Sequence, residues 1–395
     1  LPMKKAAPVE YVRVCSVHGA GFFYIPGSDT CIKIGGRVRA EYRYLEPIWS
    51  DPGNGRARNA TGTRATGRIN VDARTATEWG TLRAFIQVDV NAFTGSYLDT
   101  GSTSGVSLDK AYIQWAGITA GRISSFFDFY ATALNFGAGV MSSLGSDNGS
   151  VNVLAYTATF GNGFSATIGF EDRSSVVRPL EGATLAGQRM PSIVGNIRVD
   201  QGWGSAQLSG VVQQLNANLF NGTRVDTEYG YAIQAGVKFN LPMLAAGDAL
   251  WLQAAYADGA VGRLGLANVT AMGPLDGTAF DAARIDGSLK RTKGWGVTAA
   301  LLHYWTPSVR QAVFGNYTAV DYSARVFNAY GLNDFKIWTI GTNVIWSPVK
   351  AFDIGVEVLY QKLDPKGRVV VVPATGQTRG SEDIWEARIR FQRDF

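Results

Sequence analysis

Cys31–Leu45, CIKIGGRVRAEYRYL, is two-faced at a period of two residues. Ile32, Ile34, Gly36, Val38, Ala40, Tyr42 and Tyr44 occupy one set of alternate positions, and Lys33, Gly35, Arg37, Arg39, Glu41 and Arg43 occupy the other. Side chains of an extended strand point alternately to opposite faces, so the segment predicts a strand with one apolar and one charged side. Taken alone, such a strand fits a soluble sandwich as well as a membrane wall. The same pattern recurs to the last residue, spaced by alternately short and long connections, and that regularity favours the wall.

Charged residues make up 17% of the 395 residues, where about a quarter is usual, and mean hydropathy is close to zero. The longest charge-free runs, Phe129–Ser146 and Gly149–Phe170, are broken by Gly, Asn, Ser and Thr, so neither reads as a spanning helix. A closed β wall satisfies its backbone polar groups within the sheet while averaging to neutral hydropathy. The formal charge of +5 is small, and the arginines stand singly on strands, which argues against a nucleic-acid surface. The N-terminus, LPMKKAAPVEYVRVC, lacks an apolar core of about 7–15 residues behind its basic residues, so it reads as a mature end without its export signal.

The fold class expected is therefore all-β, a transmembrane antiparallel barrel of about 16 strands with both termini on the side of the short turns. Residues 1–30 form an N-terminal periplasmic-side segment and 31–395 the barrel. The stretches Thr94–Gly105, Asp172–Arg189, Leu215–Thr227, Asp258–Arg291, Val320–Leu332 and Leu363–Gly380 are expected as irregular long loops. Ile123–Ser150 is long, aromatic and nearly uncharged, a poor surface loop, and is expected to fold inward as a constriction.

No catalytic or cofactor pattern stands out. Two matches to G-x-G-x-x-A, at Gly161–Ala166 and Gly294–Ala299, open alternating strands instead of helices. His18 and His303 have no nucleophile paired with them, and two His with two Cys make a zinc site untenable. The reading is of a channel without cofactor or metal, not of an enzyme. Cys15 and Cys31 suit a disulfide in an oxidising compartment, worth about 3 kcal/mol of loop closure, with two separate buried thiols as the alternative.

Arg37, Arg39, Arg43, Arg64, Arg68, Arg74 and Arg83 come from three consecutive strands and all fall on the non-apolar faces. In a barrel facing lipid they line the lumen. Asp128 and Asp147, bracketing the constriction loop, would face them with opposite charge and set up a transverse field. Basic residues outnumber acidic ones at inward positions, a lean toward anions that two carboxylates at the narrowest point could reverse, since screening acts over about 8 Å.

Pro8–Cys15, Gly19–Gly27, Cys31 and Ile34-Gly35-Gly36 resemble the mature start of alphaproteobacterial outer-membrane porins. Ala111–Gly117 with Ala120-Gly121-Arg122 and Phe126-Phe127-Asp128 is similar to that family's approach to its constriction loop, and Phe395 to the terminal aromatic that its assembly machinery recognises. The resemblance implies a general-diffusion channel in the outer membrane of a Gram-negative bacterium, a homotrimer of 16-stranded barrels with the third long loop turned inward. It implies lipid, lipopolysaccharide and small hydrophilic solutes as partners. A sugar- or anion-specific channel that binds solute at the arginine ladder is the alternative. The small outward residues Gly67, Ile69, Val71 and Ala73 are expected at the trimer contact, with girdled strands from Tyr229 onward facing lipid.

Overall fold

A computed structural model of the chain describes residues 13–46, 59–98, 101–130, 134–137, 144–146, 149–172, 177–219, 221–222, 224–266, 279–372 and 377–395. The opening strand β1 is Cys31–Leu45, as its alternation demands, and fifteen more follow it around a closed wall. These are β2 (Thr61–Thr77), β3 (Gly80–Thr94), β4 (Ser102–Trp115), β5 (Ile118–Ser124), β6 (Ser150–Gly161), β7 (Phe164–Glu171) and β8 (Ser192–Gln201). The second half comprises β9 (Gly204–Leu215), β10 (Glu228–Asn240), β11 (Ala249–Asp258), β12 (Lys293–Thr306), β13 (Val309–Asp321), β14 (Phe335–Val349), β15 (Phe352–Pro365) and β16 (Glu382–Asp394). Every neighbouring pair is antiparallel, and β16 closes on β1 from Arg37↔Asp394 to Leu45↔Glu386. Closure leaves no open edge, the condition for a sheet in hydrocarbon.

The closing seam explains one glycine. Gly36 exchanges backbone hydrogen bonds with Phe395 at 2.9 and 3.0 Å. A Cβ there would lie 2.5 Å from the Phe395 ring and 2.5 Å from the Arg68 carbonyl oxygen. Only glycine lets the last residue lie flat across the first strand.

Six of the seven connections at one end are two residues long, while residues 241–248 join β10 to β11. Asn162-Gly163 takes positive φ at both positions, 49° and 79°, the twist that suits a two-residue hairpin. At the opposite end the loops are long. They are less irregular than expected: a helix α1 (Ala324–Tyr330) occupies the 322–334 connection, capped by Ser323 and by Gly331 at φ 69°. A hairpin of Ala282–Ile285 with Ser288–Arg291 lies in the stretch expected to be wholly irregular, and Ala282 pairs in parallel with Leu180. Ser102–Gly105, expected in a loop, extends β4 against Asn91–Thr94, since Ser and Thr serve a strand when a partner is in register.

Outward positions carry the apolar set. Ile34, Val38, Tyr42, Ile69, Ile197, Trp338 and Ile340 are all exposed in the single chain. Outward aromatics pair along the wall from β10 onward, as Tyr231–Tyr256, Trp295–Tyr317, Tyr317–Trp338 and Tyr360–Trp385. The inward side is not uniformly open. Phe127, Val194, Val211, Ala257, Val261, Leu264, Ile285, Val320, Val326 and Ile337 form one buried cluster, so loop segments pack against the inner wall on the β8–β15 side.

Before β1, Cys15 and Cys31 are joined in a disulfide, with Cα atoms 6.0 Å apart. Phe23-Tyr24 pairs with Ile32 and Cys31, and the Phe22 ring packs on the bridge with the Arg74 guanidinium 4.8 Å from its centroid.

Candidate functional site

The third long connection leaves β5 and traverses the barrel. Its root is fixed by Glu171 at the end of β7, which accepts from Ser125 Oγ at 2.8 Å and Phe126 N at 2.9 Å. Asn196 of β8, Gln207 of β9 and Gln234 of β10 then donate to the carbonyls of Phe126, Asp128 and Phe127, at 2.7, 3.1 and 2.8 Å. Gln253 of β11 accepts from Tyr130 N at 3.0 Å. Further on, Asn343 of β14 donates to Leu134 O at 2.6 Å, and Glu357 of β15 accepts from Phe136 N at 2.7 Å. Arg388 and Arg390 of β16 both donate to Phe136 O. Inward amides and carboxylates of successive strands thus satisfy the backbone of a segment with no sheet of its own, as burial requires.

Two wall glycines make room for this crossing. A Cβ on Gly355 would stand 2.5 Å from the Phe136 ring, and one on Gly236 would meet the Phe129 ring. Isolated glycines inside strands often mark such close approach, a signal that Gly236 and Gly355 carry and that alternation passes over.

Between residues 134–137 and the wall lies a cavity of about 480 Å³, lined by β1–β3 on one flank and β13–β16 on the other. Arg37, Arg39, Arg64 and Arg68 line it; Arg43, Arg74 and Arg83 do not. The seven arginines sit at three levels. Toward the long loops, Arg43 pairs with Glu386 at 3.0 Å and packs 5.0 Å from the Tyr97 ring. Toward the short turns, Arg74 and Arg83 share Asp72 at 2.8 and 3.0 Å.

At cavity level, Arg37 meets Asp394 at 2.5 Å, Arg68 meets Asp89 at 2.7 Å, and Arg64 meets Glu41. Arg39 has a different partner. Its Nε and Nη2 donate to the neutral Gln392 Oε1 at 3.0 and 2.8 Å.

For every one of these arginines but Arg39 the counter-charge therefore stands within the wall, on a neighbouring strand or, for Arg74, on its own, more than across the lumen. Asp128 lies at the loop root near Gln207 and does not line the cavity, and Asp147 is outside the described residues. The loop residues that do line it, Leu134, Asn135, Phe136 and Gly137, are uncharged. Arg310, Arg390 and Asp353 also line it and were not among the sequence candidates. Alternation puts Arg390 on one face with Glu386 and Arg388, and only closure of β16 on β1 brings it to Glu41.

Elsewhere, His303 Nδ1 lies 2.6 Å from Asp248 Oδ2 beside a short-turn loop, and Tyr304 N donates to Asp248 Oδ1 at 2.8 Å. Burial opposes the Asp248 charge, but these hydrogen bonds hold its carboxyl below the ordinary value. The G-x-G-x-x-A segments fall on a hairpin turn and on β12, with no helix after either. Gly67, Ile69, Val71 and Ala73 occupy alternate outward positions of β2; Ile69 is 58% exposed, and a Cβ on Gly67 would meet nothing within 4 Å.

A family profile described as the Porin subfamily matches residues 2–387. Porin Omp2b of Brucella suis biovar 1 (strain 1330) is 28% identical over 398 residues, covering 98% of this chain and 91% of that one. The outer membrane channel DcaP of Acinetobacter baumannii superposes with a TM-score of 0.71 at 18% identity, over 94% of this chain and 99% of the other. OmpT of Vibrio cholerae, in a trimer form, superposes with a TM-score of 0.50 at 9% identity, over 92% and 100% of the two chains.

Proposed function

The chain belongs to the porin subfamily, and from that membership we propose how its lumen selects solutes. It is an outer-membrane porin of a Gram-negative bacterium, a channel for passive diffusion. In our reading the eyelet is the gap between residues 134–137 and the arginine wall, and Arg37, Arg39, Arg64 and Arg68 are its selecting side chains. Arg43 stands in the approach from the long-loop end, and Arg74 and Arg83 in the exit toward the short turns. We assign no catalytic role to the chain.

One observation carries this: the third long loop is hydrogen-bonded across the lumen to β8–β11 and then to β14–β16, leaving the passage beside β1–β3. Its lining includes six arginines, Arg37, Arg39, Arg64, Arg68, Arg310 and Arg390, with Asp89 and Asp353, while Asp394, Glu41 and Asp109 pair with arginines of that lining, so the basic groups exceed the acidic by one. That balance supports a preference for anions among permeating ions. Asp128, away from the cavity, weighs little against it at a screening length of about 8 Å. A homotrimer in lipid and lipopolysaccharide, with residues 1–30 on the periplasmic side of the 31–395 barrel, completes the reading. The trimer form of the Vibrio cholerae neighbour supports the assembly.

Single-channel recording in planar bilayers tests it. Deleting Asn135–Ser143 is expected to raise the unit conductance and weaken the anion preference measured by reversal potential. Unchanged conductance and selectivity would remove the loop from the eyelet, and a clear cation preference in the intact protein would overturn the sign.

A further inference from the structure

Six of the seven ladder arginines meet a carboxylate, and Arg39 meets an amide. Its cross-strand row explains why. Gln392 and then Asp353 lie on one side and Thr66 and then Asn91 on the other; the two residues directly opposite Arg39 are neutral, and Asp353 is paired with Arg310. Thr66 Oγ1 donates to Asn91 Oδ1 at 2.6 Å, and both residues line the cavity. The adjoining row adds charge of the same sign, because Arg64 and Arg390 share the single carboxylate of Glu41. Arg39 thus has no carboxylate partner of its own and Arg64 and Arg390 have one between them, whereas Arg68 meets both Asp89 and Asp109.

The loop side supplies an independent sign. Asn135 also lines the cavity and is only 5% exposed. Its Oδ1 accepts from Gly137 N at 3.0 Å, but its Nδ2 has no hydrogen-bond partner among the described residues. A buried amide donor without an acceptor is costly, and a guanidinium without an anion is the natural complement of a planar oxyanion.

Resting on the porin reading of the same lumen, we propose that Arg39 and Asn135 form an oxyanion-binding station in the eyelet. It takes small organic acids through a carboxylate, with Arg39 as the charged fork and Asn135 Nδ2 as the donor from the loop. The station makes the passage of such anions saturable, whereas uncharged solutes cross without binding.

Malonate is the probe, added to chloride-bathed channels in planar bilayers, with inorganic phosphate in a parallel series. Wild-type chloride current is expected to fall saturably with malonate. Arg39→Gln and Asn135→Leu should each raise the half-blocking concentration roughly tenfold, the loss expected for a hydrogen bond to a charged group. Gln392→Glu leaves the wall packed but gives Arg39 the carboxylate that the other arginines have, and it should weaken the block as much as Arg39→Gln. Arg74→Gln, at a level outside the cavity, should leave it unchanged. A block by phosphate that the same substitutions weaken also supports the station, as one for oxyanions in general. Block equally strong in all variants, or absent while ohmic conductance persists, overturns the station and leaves the porin reading intact. Absence of conductance in every protein would overturn that reading instead.

Discussion

Asp281 shows how one buried carboxyl ties the long loops together. It lies in the 259–292 connection, accepting from Arg178 N at 2.8 Å and Gln213 Nε2 at 3.0 Å, near Glu181 and Tyr322. Complete burial pushes its carboxyl up to about 7, against hydrogen bonds that favour the charge. With the loops undocked it titrates near its ordinary value of 3.8. The undocked state therefore loses its proton first as pH rises, and docking weakens across the interval from 3.8 to about 7. The slope is about 1.4 kcal/mol per pH unit and ends above the upper value. Trypsin should cleave these loops faster in the wild type than in Asp281→Asn at about pH 8, with the ratio of rates falling toward about pH 5. A ratio independent of pH would show that Asp281 does not titrate in the docked loops. Nothing in the sequence singled out Asp281, because its burial comes from segments more than a hundred residues apart. The arginines behave differently. Alternation alone set Arg37 and Arg68 inward, yet their partners Asp394 and Asp89 depend on register, which alternation leaves undetermined.

At the scale of elements, the constriction loop is held by another loop as well as by the wall. Arg263, on the 3-10 turn Val261–Leu264, is fully buried and donates to Glu171 at 3.2 Å and to Ser125 Oγ at 3.1 Å. Its guanidinium lies 5.6 Å from the Phe127 ring. The turn thus clamps the root at which the third loop leaves the wall. Removing one member of a buried ion pair typically costs about 3–5 kcal/mol, whereas replacing both by apolar residues costs far less. Arg263→Met should therefore loosen the loop root and raise open-channel current noise, and Arg263→Met with Glu171→Gln, which removes the unpaired charge but keeps an acceptor for Ser125 and Phe126, should restore much of the quiet. Equal noise in wild type and single variant would show that the clamp does not position the loop. This turn, α1 and the Ala282–Ile285 hairpin were illegible as elements because each is short and packed by tertiary contacts. Ser323 and Gly331 did bracket α1 with ordinary capping residues, a signal too short to outweigh its loop context. The barrel strands were legible because ten or so residues of strict alternation leave few other folds.

For the whole molecule, the proposed trimer turns on which outward face of the wall meets a copy. From β10 to β16 the outward aromatics pair side by side, the arrangement of a lipid interface, with the Tyr317 and Trp338 rings 4.4 Å apart. The outward positions of β2 and β3 carry no aromatic: they are Ala65, Gly67, Ile69, Val71, Ala73 and Thr75, then Leu82, Ala84, Ile86, Val88 and Val90. Small and β-branched residues let two walls approach closely, and no water is excluded in lipid to drive contact otherwise. We therefore expect the trimer contact on these first strands. A Cβ on Gly67 meets nothing within 4 Å in the single barrel, so a large side chain there is tolerated by the barrel and felt only by a neighbour. Gly67→Trp with Ala73→Trp should leave heat-modifiable barrel formation intact, while sedimentation in mild detergent shifts from trimer to monomer. Trp substitutions at Val297 and Val356, outward on girdled strands, should leave the trimer whole. A Gly67/Ala73 variant that still sediments as a trimer would place the contact on another face of the wall.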